Sequence, residues 1–186
     1  MVFILPFFWY NLVMNKIELR TKYKIIRNNI KDRNIKNKKI FNKVINDELI
    51  LSKNTILIYV SINSEVDTIN IINYFLGKKN IAVPKIVSNE MKFCLINSLE
   101  VLEKKTFGIY EPIDDNYLTC FDDSICITPG ICFDKNNYRI GYGKGFYDRF
   151  LNEHNIPTIG LCYKECLIDK IDNDEFDYKV ERVITD

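Results

Sequence analysis

Apolar residues recur first at helical and then at strand spacing along the chain. From Asn15 onward, Leu19, Tyr23, Ile26 and Ile30 fall at i, i+4, i+7 and i+11, the apolar stripe of an amphipathic helix. Lys16, Arg20, Lys24, Arg27 and Lys31 form a second stripe, so this helix is expected to bury one face and carry cations along another. A second helix is expected over about Lys38–Leu51, with Ile40, Phe41, Val44, Ile45 and Leu49 inward. The period then shortens. TILIYVSI (55–62) reads as a buried strand and VDTINIINYFLGKK (66–79) as a helix ending at Gly77. NIAVPKI (80–86) reads as a strand stopped by Pro84, followed by strands at 91–96 and 124–130. GKGFYDRFLNEH (143–154) opens a helix, and 156–163 and 182–185 read as strands. Strands alternating with helices predict an α/β fold, three αβα layers around a mostly parallel, Rossmann-like sheet. In such sheets ligands sit beyond the carboxyl ends of the strands, and the glycine segment 141–145 follows a strand.

Length and charge narrow the class. The 186 residues suit one domain, expected over 15–186, and a net charge of +1 demands no polyanion. A monomer with no nucleic-acid partner is expected. The six cysteines form no C-x-x-C pair and there is one histidine, which argues against zinc and for reduced, buried thiols. The opening MVFILPFFWYNLVM (1–14) lacks a basic start and a small-residue cleavage site, so a secretory signal fits poorly. It is also shorter than the ~20 residues of a membrane span, so stable insertion is not expected. It reads as a flexible or disordered start, or one misassigned with Met14 as the true initiator; the alternative is a membrane-associated leader or one to an organelle such as a mitochondrion or plastid, and otherwise the cytoplasm is expected.

The chemistry concentrates in RIGYGKGFYDRF (139–150). Gly141, Gly143 and Gly145 permit positive φ and close approach of main chain to a ligand, and successive N–H groups there make an anion cradle. The following helix start adds its positive end, and Lys144 and Arg139 add full charges. Asp148 falls in the first helical turn. Beside phosphates it would call for a bridging Mg²⁺; as a plain helix-start acid it needs no ligand. The pattern lacks the G-K-[S/T] of a Walker loop and the later acid of a dinucleotide fingerprint. From these residues alone, a phosphate loop and an ordinary tight turn both stand.

The longer run TPGICFDKNNYRIGYGKGFYDRF (128–150) resembles the signature of the 5-formyltetrahydrofolate cyclo-ligase family, approximately P-G-x-x-F-D-x-x-G-x-R-L-G-x-G-x-G-Y-Y-D. KIELR (16–20), YVSINSEVDT (59–68), FGIYEP (107–112) and FDYKVERVIT (176–185) resemble further blocks of that family in the same order. Phe146 stands where Tyr is usual, Asn137 where a turn glycine is common, and Glu181 where a second Asp is common. The resemblance implies closure of 5-formyltetrahydrofolate to 5,10-methenyltetrahydrofolate with ATP and Mg²⁺, releasing ADP and phosphate. It implies ATP binding by Lys16, Arg20, Arg139, Ile140, Gly141, Tyr142, Gly143, Lys144, Gly145, Phe146 and Tyr147, with Lys144 and Arg139 catalytic. It assigns Mg²⁺ to Asp148 and Asp177, and the folate to Val60, Glu65, Phe107, Tyr110 and Glu111. Without it, Val60 reads as core, Asp177 as an exposed loop acid, and Phe107 as packing or as a stacking ring. A folate-binding module without turnover, and a nucleotide enzyme acting on another substrate, are the competing classes.

Overall fold

A computed structural model describes residues 14–105 and 108–186. Residues 1–13 of the proposed leader and Phe107 lie outside the described residues.

Helix α1 (Lys16–Asn28) begins where Asn15 accepts from the N–H groups of Ile17 and Glu18 while the Glu18 carboxylate returns to the Asn15 N–H, a reciprocal capping box. The single helix expected over Lys38–Leu51 is instead two, α2 (Arg33–Ile45) and α3 (Glu48–Ser52). The break is Asp47, whose carboxylate accepts from the N–H groups of Leu49 and Ile50 and so starts a new helix. The earlier start has a partner too: Arg33 Nη2 donates to the Arg27 and Asn28 carbonyls, closing the end of α1.

Strand β1 (Thr55–Ile58) is shorter than its apolar run, because the Tyr59 carbonyl is taken by the Thr68 hydroxyl at 2.7 Å. Helix α4 (Ile69–Phe75) starts correspondingly late, after Asp67 has accepted from the Ile69 N–H. Strands β2 (Asn80–Val87) and β3 (Glu90–Ile96) form an antiparallel pair, and β2 runs through Pro84. Proline is tolerated there because β1 pairs with β2 only as far as Ala82, so the missing donor faces a side with no ladder to complete. A hairpin of β4 (Leu102–Lys104) and β5 (Tyr110–Pro112), absent from the sequence reading, follows. Then come β6 (Ser124–Thr128), β7 (Cys132–Asp134), β8 (Arg139–Ile140), α5 (Phe146–His154), β9 (Thr158–Cys162), β10 (Leu167–Ile168) and β11 (Arg182–Thr185).

The main sheet has the order β11-β9-β6-β1-β2-β3, parallel except at the β3 edge. Alternation sorts its side chains onto two faces. Ile56, Ile58, Ile125, Ile127, Ile159 and Leu161 pack with Ile40, Val44, Ile50, Ile71, Ile72 and Phe75 of α2, α3 and α4. On the other face, Leu57, Ala82 and Cys126 pack with Phe150 and Leu151 of α5. A small sheet β10-β7-β8 and Leu19 of α1 cover the rest through Cys132, Phe133, Ile140 and Cys162. The expected three layers are therefore present. Five of the six cysteines are buried and all are free thiols. Among the described residues, no helix is long and apolar enough to cross a membrane.

Phe133, fully buried, presses its ring on the bare Cα atoms of Gly130 and Gly160. A Cβ at either glycine would fall inside the ring's van der Waals surface. Gly160→Ala is therefore expected to cost about 1–3 kcal/mol, as overpacked cores do. In a domain of this size that lowers the melting temperature by roughly 2–12 °C. Adding Phe133→Leu should recover part of the loss. Thermal unfolding measures both, and an unchanged midpoint for Gly160→Ala would show that the ring is free to move.

Candidate active site

Three loops meet against α1, two from the carboxyl ends of neighbouring strands of the main parallel sheet and one from the small sheet. The first follows β1 (59–65), the second follows β6 (Pro129–Gly130), and the third is the glycine loop after β8. The third is bare main chain. Gly143 and Gly145 take φ of +93° and +65°, the left-handed region that favours glycine, whereas Gly141 does not. Gly141 is small for another reason: a Cβ there would lie 3.3 Å from Arg139 Nη1. Asn137, standing at the usual turn glycine, adopts φ of +71°, which asparagine tolerates.

Helix α5 starts at Phe146, and Gly145 caps it with no side-chain bond. The first-turn N–H groups of Phe146 and Tyr147 thus open beside Lys144, and this helix end carries partial positive charge. Lys144 is exposed, and its ammonium makes no ion pair or hydrogen bond among the described residues. Arg20 approaches from α1, its Nε donating to the Gly141 carbonyl at 2.9 Å and its guanidinium lying beneath Gly143. Lys16, one turn earlier, donates to Asp174 at 2.6 Å and to Asp177 at 2.5 Å. Burial works against the Lys16 charge, but these two acids outweigh it and raise its pKa.

Arg139 is buried under the loop. Its Nη2 donates to Asp148 Oδ1 at 2.7 Å, and its guanidinium lies over the Tyr147 ring. The Tyr178 N–H donates to the same Asp148 oxygen at 3.2 Å, which brings Asp148 and the residue next to Asp177 together. Among the described residues, no cluster of three or more His, Cys, Asp or Glu could hold a metal. Asp148 and Asp177 each keep one carboxylate oxygen with no hydrogen bond from those residues. Two hard oxygen donors fit Mg²⁺ in the way it is commonly bound, by one or two carboxylates plus substrate phosphates.

On the opposite side sits Glu65, buried, its Oε2 accepting from the Ile62 N–H at 2.9 Å and its Oε1 from the Tyr142 hydroxyl at 2.7 Å. Burial raises the Glu65 pKa, against the pull of the Ile62 N–H, Tyr142 and Arg27. Burial and the Glu65 charge push Tyr142 up to about 12. Val60 is buried in the core. Tyr110 is exposed on β5, and Glu111 Oε1 accepts from the Ile86 N–H, near the end of β2, at 3.2 Å. No hydrogen bond among the described residues joins Tyr110 or Glu111 to Glu65.

A glutamate whose pKa is raised by folding stabilises relative to an ordinary one only at low pH. That contribution is full below the unfolded value and is lost as pH rises through the folded one. Glu65→Gln carries no such loss. The stability of the variant minus that of the parent should therefore grow as pH rises through the range just above ordinary glutamate titration, then level off. Urea unfolding at stepped pH measures this difference; a constant difference would contradict the burial argument.

The residue that the sequence reading misplaced is Arg27. Assigned to the solvated cationic stripe, it is buried, with all three nitrogens of its guanidinium bonded to the loops. The available signal was its spacing, eight residues after Leu19 and four after Tyr23, which returns it to the apolar side of α1.

The sequence model of the 5-formyltetrahydrofolate cyclo-ligase family matches residues 13–186. A probable 5-formyltetrahydrofolate cyclo-ligase of Schizosaccharomyces pombe is 28% identical over 60% of this chain, and the match spans 63% of that relative's length. A 5-formyltetrahydrofolate cyclo-ligase of Mus musculus is 32% identical over 69% of this chain and 71% of its own. Among solved structures, the 5,10-methenyltetrahydrofolate synthetase of Aquifex aeolicus superposes with a TM-score of 0.82 at 27% identity, covering 92% of this chain and 89% of that one.

Proposed function

The chain belongs to the 5-formyltetrahydrofolate cyclo-ligase family, and on that premise we propose that it converts 5-formyltetrahydrofolate to 5,10-methenyltetrahydrofolate with consumption of ATP. The formyl group on N5 is amide-like, with a weakly electrophilic carbon and a poor oxygen leaving group. Attack of that oxygen on the γ-phosphorus forms an O–P bond and releases ADP. N10 then attacks the activated carbon, the C–O bond breaks, inorganic phosphate leaves and the N10 proton is lost to solvent.

Phosphoryl transfer of this kind asks the protein for positioning and charge neutralisation rather than for a nucleophile. The single observation that carries the reading is Lys144, unpaired among the described residues, within bare glycine main chain at an uncapped helix start. Main-chain N–H groups from the loop and the first turn of α5 would hold the phosphate oxygens, with Arg20 fixing the loop from below. Mg²⁺, held by the open oxygens of Asp148 and Asp177, would neutralise the polyphosphate. Lys16 would reach the phosphates only by sharing itself with Asp174 and Asp177. Arg139 acts on the site through Asp148, which it orients. Glu65 keeps lone pairs on both oxygens for pterin N–H donors. Phe107, Tyr110 and Glu111 are assigned to the folate in this proposal on the family resemblance.

The test is appearance of the methenyl product's absorbance when 5-formyltetrahydrofolate, ATP and Mg²⁺ are mixed with the protein. An increase that requires ATP supports ring closure. Folate binding without product would instead favour a binding module that has lost turnover.

A further inference from the structure

Arg27 has no part in the phosphoryl chemistry, yet one guanidinium holds all three loops of the site. Its Nε donates to Ser64 Oγ at 3.1 Å, on the loop after β1. Its Nη1 donates to the Gly130 carbonyl at 3.0 Å, on the loop after β6. Its Nη2 donates to the Tyr142 hydroxyl at 2.7 Å, in the glycine loop. The Tyr142 hydroxyl in turn donates to Glu65 Oε1 at 2.7 Å. The residue is only 4% exposed, so water competes little for these bonds, and the planar guanidinium sets all their directions at once.

Tyr142 joins the glycine loop to this network. The residue is 45% exposed between two glycines, while its hydroxyl points inward to two buried partners. A displacement of loop 141–145 must therefore carry the hydroxyl with it. Glu65 would feel that displacement at Oε1, because its other oxygen is fixed by the Ile62 N–H.

We propose that Arg27 and Tyr142 form a positioning relay that links occupancy of the glycine loop by a nucleoside triphosphate to the orientation of Glu65 for the formylated pterin, so that the two substrates bind cooperatively. The identity of the two ligands rests on the cyclo-ligase reading; the relay itself rests on the four hydrogen bonds. Linkage makes the coupling reciprocal, each ligand tightening the other by the same factor.

The experiment is equilibrium titration of the full-length protein with 5-formyltetrahydrofolate, with and without a non-hydrolysable ATP analogue and Mg²⁺. The ratio of the two dissociation constants is the readout. The parent is expected to show a ratio of about 5 or more, the lower end of ordinary allosteric coupling. Tyr142→Phe removes only the hydroxyl and should bring the ratio close to one. Because it leaves buried Arg27 Nη2 and Glu65 Oε1 without that partner, it should also cost stability, read as a melting temperature lower by roughly 2–12 °C. Ser64→Ala, which loosens Arg27 on the folate side, should lower the ratio part of the way. A merely structural role would weaken both binding events together and leave the ratio intact. The relay is overturned by a parent ratio of one, or by a Tyr142→Phe ratio equal to that of the parent. A parent that neither binds folate nor forms product overturns the cyclo-ligase reading and the relay's ligands with it. A parent that turns over while its ratio stays at one overturns the relay alone.

Discussion

Replacing Lys144 with methionine is expected to lower kcat by roughly 10²–10³-fold, the cost of removing one preorganised charge from a developing transition state. The fold should not notice. Lys144 is exposed and its ammonium has no partner among the described residues, so the stability change should stay within about 0.5 kcal/mol. That combination separates chemistry from scaffolding. A residue that held the loop in shape would lose stability and turnover together, whereas here the backbone of Lys144 is what Arg149 uses, through Nη1 to the carbonyl at 2.8 Å. The substitution leaves that carbonyl in place. The KM for the folate should move much less than kcat, because the proposed folate contact is Glu65 rather than the Lys144 ammonium. Steady-state kinetics beside thermal unfolding reads both quantities. Turnover within threefold of the parent would mean that the transferring phosphoryl is neutralised by other groups.

The same two segments explain what a sequence can and cannot disclose. The parallel sheet was legible because β1, β6 and β9 are short, mostly apolar runs buried on both faces, and nothing local competes with that pattern. The glycine loop was legible because glycine at alternate positions marks bare main chain, though only Gly143 and Gly145 use positive φ and Gly141 stays small beside Arg139. What escaped were features decided by a single residue, through a local cap, the end of a neighbouring strand, or a partner far along the chain. Asp47 splits a continuous helical pattern by capping. Pro84 sits within a strand because its neighbour β1 has already ended. Arg27 looks like one more cation on a basic face until Ser64, Gly130 and Tyr142 arrive from 37, 103 and 115 residues away. The pairing of Asp177 with Lys16 across 161 residues is of the same kind. Periodicity carries information about faces, and it carries none about which buried charge meets which.

The Arg139–Asp148 pair should respond unequally to losing either member, and the inequality bears on the proposed metal. The Arg139 side chain is 4% exposed and that of Asp148 is 23% exposed. Asp148→Asn keeps an oxygen for Arg139 Nη2 and the Tyr178 N–H but leaves a buried guanidinium without its counter-charge. A severed buried pair costs about 3–5 kcal/mol; with the hydrogen bonds retained, about 2–3 kcal/mol is expected. Arg139→Met removes the more deeply buried charge, including an Nε that has no partner among the described residues, and leaves a carboxylate that water can reach. Its stability loss should be the smaller of the two. Activity should rank the variants in the same order for a different reason. The amide of Asp148→Asn would offer Mg²⁺ a neutral oxygen, so turnover should fall by about 10²-fold or more while folate still binds, since charge neutralisation is what the transfer needs. Arg139→Met would leave the Asp148 carboxylate charged but less firmly aimed, a loss of about tenfold. Urea unfolding and the product absorbance assay, run well below both melting temperatures, measure the two rankings. Normal turnover by Asp148→Asn would remove Asp148 from the metal, and a larger stability loss in Arg139→Met would show that packing of the arginine stem, rather than its charge, governs the pair.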